Sequence, residues 1–168
     1  MRKLGIAGFI FAAWALAPAA AQQAPEPELE FLLEEVVKLG QVVEVGQTAR
    51  GHRRIIPITG GRFEGPDIRG EVLPSGWDWQ LDRPDGCTDV VADYFLKTDD
   101  GAVINVRNTG TICRPVAGEA PRPVRTHPVF EPPLGKYQWL GENAFVGTLE
   151  LADASEGPAV RIRFYRVK

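Results

Sequence analysis

Two carboxylates, Glu64 and Asp78, lie with Trp79 in the stretch Pro57 to Gln80, and Tyr94 and Asn108 follow it, giving ring systems and an amide able to wall one pocket. Carboxylates that share a dry cavity have their pKa values pushed apart, so that one acts as acid and the other as base. An amide at Asn108 could hold or polarise a carbonyl. Together these residues suit cofactor-free proton transfer on a small oxygenated molecule, such as isomerisation, dehydration or cyclisation. The same acids also suit a structural task, accepting backbone N–H groups at glycine corners and fixing the bends. Both readings stay open at this level, as do a plain binding role and a structural or interaction role for the chain.

Other chemistries lack their residues. His52 and His127 are the only histidines, in sequence that reads as loop and without metal-ligand spacing, so no metal is expected. There is no GxSxG and no phosphate loop, and Gly60, Gly61 and Gly65 precede Pro66 rather than a helix, so no cofactor is expected either. The formal charge is −3, and −5 once Arg2 and Lys3 are removed with a leader, which argues against nucleic acid as a partner.

That leader is read from residues 1–21: Arg2 and Lys3, an apolar run to Leu16, and Ala19-Ala20-Ala21 before Gln22. The run is short for a membrane span. The expectation is a periplasmic or secreted, soluble protein with a lead-in at 22–28 that does not fold, then a single domain over 29–168.

The elements around the candidate residues read as strands. The Pro57–Gln80 stretch is too rich in Gly and Pro for a helix and suits short strands bent at glycines. Glu71–Leu73, Trp77–Leu81, Ala144–Leu151 and Ala159–Val167 follow as strands, whereas Arg114–Pro133, with six prolines, reads as a long surface crossing. In Leu29–Leu39 the pattern leans to a helix, although Phe31, Leu33, Val37 and Leu39 also fit alternation around Glu35. Eight to ten short strands indicate an all-β antiparallel sandwich or barrel. An outer-membrane barrel fits poorly, because the polar faces carry Arg, Lys and Asp.

Thr98-Asp99-Asp100-Gly101 suits a hairpin loop with Gly101 in the left-handed position. The register that sets Thr98 against Ala102 also sets Cys87 against Cys113, so a disulfide between them is expected in an oxidising compartment. It places Val90, Ala92, Tyr94 and Leu96 on one face with Gly110, Asn108, Val106 and Ile104, and this face should turn inward. Tyr94 and Asn108 then become polar groups in the interior, either bonded within the core or lining a cavity.

The pieces Arg54–Gly61, Phe63-Glu64-Gly65-Pro66, Gly70, Leu73–Trp79, Thr98–Gly101, Asn108 with Gly110, Pro128, Phe130-Glu131 and Trp139-Leu140 occur in an order and spacing that resembles the family known as domain of unknown function 3237, or uncharacterised protein family 0311. The resemblance implies a compact antiparallel β-barrel and a first strand, not a helix, at Leu29–Leu39. Arg54, Phe130 and Glu131, which lie in the matching pieces, join Trp79, Tyr94 and Asn108 as candidate ligand-binding residues, with Glu64 and Asp78 as the candidate catalytic pair. The expected partner is a small apolar or aromatic molecule in an interior pocket.

Overall fold

The computed structural model describes residues 25–115 and 117–168; the expected leader at 1–21 and the start of the lead-in lie outside the described residues. The strands are β1 Leu29–Leu39, β2 Val43–Thr48, β3 Gly51–Glu64, β4 Arg69–Val72, β5 Gly76–Asp82, β6 Cys87–Thr98, β7 Val103–Cys113, β8 Val124–Glu131, β9 Phe145–Leu151 and β10 Ala159–Val167. All pair antiparallel in one sheet that closes on itself. Among the described residues no helix is long and apolar enough to cross a membrane.

The long β3 organises the closure. Its later half pairs with β1 on one flank and β4 on the other, and its earlier half with β2 and β5. β1 with β2, and β4 with β5, therefore each form one broken stave of an eight-stave ring that continues through β6, β7, β8, β9 and β10 back to β1. The first break falls beside Pro57, where the β1–β3 register slips between Lys38 and Leu39 and the Gly40 N–H donates to the Pro57 carbonyl at 2.8 Å. A proline within a long strand belongs at such an irregularity.

The β6–β7 hairpin has the expected register, Cys87 opposite Cys113 through Lys97 opposite Val103. The two cysteines are disulfide-bonded. Gly101 turns the hairpin at φ 91°, which a residue without Cβ adopts at no steric cost. Asp93 faces Arg107 across the ladder but accepts its hydrogen bond from Asn105 Nδ2 at 2.7 Å.

Three expectations are corrected. Leu29–Leu39 is a strand, as the family resemblance implies and the helical spacing does not. Val124–Glu131, inside the supposed surface crossing, is a full stave with Thr126, Pro128 and Phe130 turned inward. Pro128 is tolerated there because the β8–β9 ladder ends at Thr126, leaving β8 an edge on that side. His52 and His127 accordingly sit on strands β3 and β8 rather than in loops.

The interior has two unlike halves. At the end holding the β6–β7 turn, Phe130, Phe145 and Phe164 meet edge to face, with Phe130 at 4.9 Å from Phe145 and 5.6 Å from Phe164. Leu33, Leu96, Ile104 and, from the segment that crosses this end, Tyr137 and Leu140 complete a solid plug. Towards the disulfide end the barrel is hollow.

Candidate functional site

The hollow has a volume of about 280 Å³ and mostly apolar walls, among them Val37, Ile56, Val90, Ile112, Leu149 and Ile162. Each comes from the inward row of a different stave, a direct consequence of the two-residue period of a strand. Leu151 stands at its rim, 84% exposed. Against this background the polar groups stand out: Asp78 and Gln80 from β5, Tyr94 from β6, Asn108 from β7 and Thr126 from β8.

Three of them hold an oxygen that is buried and has no hydrogen-bond partner among the described residues: Asp78 Oδ1, Asn108 Oδ1 and Thr126 Oγ1. Buried polar atoms are nearly always paired, so three orphans around one hollow are unusual. The other Asp78 oxygen is held. Gln80 Nε2 donates to Asp78 Oδ2 at 2.7 Å, and Arg54 Nε donates to Gln80 Oε1 at 2.9 Å. Arg54 Nη1 also donates to Asp82 Oδ2 at 2.7 Å. This chain holds Asp78 in place on the wall of the hollow.

Burial pushes the Asp78 carboxyl above its ordinary range; the Gln80 amide, the Val91 N–H and the charge of Arg54 oppose the shift. At the floor of the hollow, Tyr94 reaches across the barrel from β6 and its hydroxyl donates to Glu35 Oε1 on β1. Glu35 is fully buried, and its Oε2 has no partner among the described residues. Burial raises the Glu35 carboxyl to about 8, against the lowering effect of the Tyr94 hydrogen bond, so it is mainly neutral at pH 7. Burial, then Glu35 and Asp78, hold the Tyr94 hydroxyl well above the usual phenol range.

The structure brings Asp78, Tyr94 and Asn108 together and does not bring Glu64 to them. Asp78 is level with Ile56, and Glu64 lies eight residues further along β3, up to ~26 Å at strand rise, exposed at the plugged end. Trp79 is on the outer face, 42% exposed. Phe130 belongs to the plug, and Glu131 is exposed at the end of β8. Arg54 acts on the hollow through Gln80. Sequence reasoning missed Glu35, Gln80 and Thr126. For Glu35 a signal existed: it is the one acid in the alternating row of Leu33, Val37 and Leu39, so the strand that buries those residues buries it too.

A closed antiparallel barrel, plugged at one end and hollowed at the other into an apolar chamber with few polar groups, defines a single-chamber β-barrel protein. The chain belongs to the family described as "Protein of unknown function (DUF3237)", whose model matches residues 27–167. It is 39% identical over 135 residues to the UPF0311 protein RPA1785 of Rhodopseudomonas palustris, covering 74% of this chain and 88% of that one. The crystal structure of that protein superposes with a TM-score of 0.76 at 36% identity, over 86% of this chain and 100% of the other. A beta-barrel like protein from Acinetobacter baumannii gives a TM-score of 0.77 at 34% identity over 87% and 99% of the two chains. An enzyme from Penicillium herquei, 23% identical with a TM-score of 0.67 over 89% and 100% of the two chains, shares the fold.

Proposed function

We propose that this protein binds a small, largely apolar molecule, aromatic in the best-fitting case, in the interior hollow. The observation that carries this reading is the set of three unpartnered buried oxygens, Asp78 Oδ1, Asn108 Oδ1 and Thr126 Oγ1, around otherwise apolar walls. Such a lining favours a ligand whose body is hydrocarbon and whose one polar end donates a hydrogen bond. A dry cavity of about 150 Å³ accepts benzene, so a hollow of about 280 Å³ suits two fused rings.

The test is a calorimetric titration with β-naphthol and with naphthalene. A hydrogen bond to a charged or desolvated acceptor predicts a preference of roughly 10-fold or more for the naphthol. Ala92→Trp, which fills the hollow from one wall, should abolish both. Equal affinity for the two compounds, or no uptake of either, would sink the reading.

Export completes the proposal, supported by the Cys87–Cys113 bridge, a bond that persists in oxidising compartments. Fractionating cells that express the chain with and without residues 1–21 checks it, with the shortened form expected to remain in the cytoplasm.

A further inference from the structure

Resting on that reading of the hollow, we infer that the site performs proton transfer at the carbon next to a carbonyl, with Asp78 as the base and Tyr94, backed by Glu35, together with Asn108 as the donors that hold the enolate oxygen. The substrate class is an enolisable ketone of about two fused rings, and the product is its isomer or its re-protonated self.

Three features of the chamber support this. Asp78 lines the apolar hollow with one oxygen tethered by Gln80 and the other buried without a hydrogen-bond partner among the described residues. A carboxylate in such surroundings is poorly solvated and correspondingly basic. Level with it on the same wall, one strand beyond Ala92, Asn108 is buried with its side-chain amide on the hollow, and an amide has both a donor and an acceptor end. The third feature is Tyr94 with Glu35.

A neutral carboxyl can donate to the phenolic oxygen as well as accept from it. When Glu35 donates, the Tyr94 hydrogen is released to point into the hollow, where it meets a carbonyl oxygen. When Glu35 is ionised it can only accept, and the Tyr94 hydrogen is captured. Glu35 is thus a positioning residue that decides which way Tyr94 donates. The groups set against it support this switching: β3 and β10 present Phe63 and Ile162 as its register neighbours, without charge. Tyr94 is the titratable group facing it from β6, and Asp78 on β5 acts on Tyr94 in turn.

The step balances without an oxidant or co-reactant. The Asp78 carboxylate takes the α-proton, the C–H pair becomes the C=C of an enolate, and the carbonyl π-pair moves to oxygen between Tyr94 and Asn108. Asp78 then returns the proton to the same carbon, or to the far carbon of a conjugated system, and the oxygen recovers its double bond. Preorganised donors at a developing oxyanion are the largest single contribution to such steps.

The experiment uses β-tetralone in heavy water, with α-deuterium incorporation followed by NMR and binding measured in parallel by calorimetry. The expected result is saturable exchange that Asp78→Asn lowers by roughly 100-fold or more while β-tetralone still binds. The wild-type rate should rise with pH as Asp78 ionises and fall again above about pH 8, where Glu35 ionises. Glu35→Gln, whose amide cannot ionise, should flatten the alkaline side of that profile and leave the acid side in place. This pH readout stands even where Asp78→Asn does not fold. Binding without exchange above that of Asp78→Asn, or a profile indifferent to Glu35→Gln, overturns the proton transfer and leaves the binding reading intact. Absence of β-tetralone binding overturns the proton transfer, and the binding reading then stands or falls on the β-naphthol titration.

Discussion

Tyr94 spans the inside of the barrel, from β6 to β1, to give its hydroxyl hydrogen to Glu35. Both residues are fully buried, and the bond joins staves that are not neighbours in the sheet. It marks the boundary between the aromatic plug and the apolar hollow, so one polar contact both braces the barrel across its width and floors the chamber.

Breaking that contact from one side should cost more than removing it whole. Tyr94→Phe leaves both carboxyl oxygens of Glu35 without a partner, since Oε2 already has none. Stranding a buried polar group costs roughly 2 kcal/mol. Adding Glu35→Leu removes the stranded group and should restore most of the loss. Urea unfolding of the two variants checks this; a silent Tyr94→Phe would mean that the bond contributes nothing in solution.

The same carboxyl sets a pH dependence of stability. In the folded protein Glu35 keeps its proton up to about 8, whereas in the unfolded chain it releases it near the ordinary 4.5. Between those values the folded state binds the extra proton, so stability falls as pH rises from about 5 to about 8 and then levels off. The other shifted carboxyl in the hollow, Asp78, acts in the same direction. Glu35→Gln should remove most of this slope, a gain over the wild type of several kcal/mol at the alkaline end. Thermal melts of both proteins across that window give the answer, and parallel curves would contradict it.

How far the sequence goes is clearest in particular elements. The β6–β7 hairpin was legible in full, because one turn with a glycine at the left-handed position fixes the register, and the register fixes both the cysteine pair and the inward face with Tyr94 and Asn108. β8 was hidden by its prolines, since composition alone does not show that the strand is an edge where Pro128 stands. Trp79 and Glu64 were placed with Asp78 by proximity in the chain. The two-residue period instead turns Trp79 outward, and the length of β3 takes Glu64 to the opposite end. Glu35 required knowing that β1 is a strand, and its own helical spacing argued otherwise.

Gly76, which opens β5, is there because nothing larger fits. A Cβ built on it would lie 2.4 Å from the Cβ of Tyr94 and 2.8 Å from the Asp93 carbonyl. Gly76→Ala should therefore push Tyr94 off Glu35 and destabilise the fold by roughly 1–3 kcal/mol, the usual range for overpacking. A tyrosine fluorescence or NMR signature of a displaced Tyr94 distinguishes this from a general loss of stability, and an alanine variant with wild-type stability would show that β5 can shift to make room.

The disulfide closes a loop between residues 26 apart in the chain, at the open end of the hollow. On the chain-entropy account its reduction should lower stability by roughly 3 kcal/mol, mainly by enlarging the freedom of the unfolded chain. That origin has a second signature: the unfolded state becomes more expanded, so the urea m-value should rise on reduction. The folded barrel should change little, because Cys87 and Cys113 also face each other in a continuous ladder from Thr88 opposite Ile112 to Lys97 opposite Val103. Affinity for β-naphthol should accordingly survive reduction, since neither cysteine lines the hollow. Urea titrations with and without dithiothreitol separate the cases: a lower midpoint with a higher m-value places the effect in the unfolded chain, whereas loss of naphthol binding would show that the bridge also holds the rim of the chamber in shape.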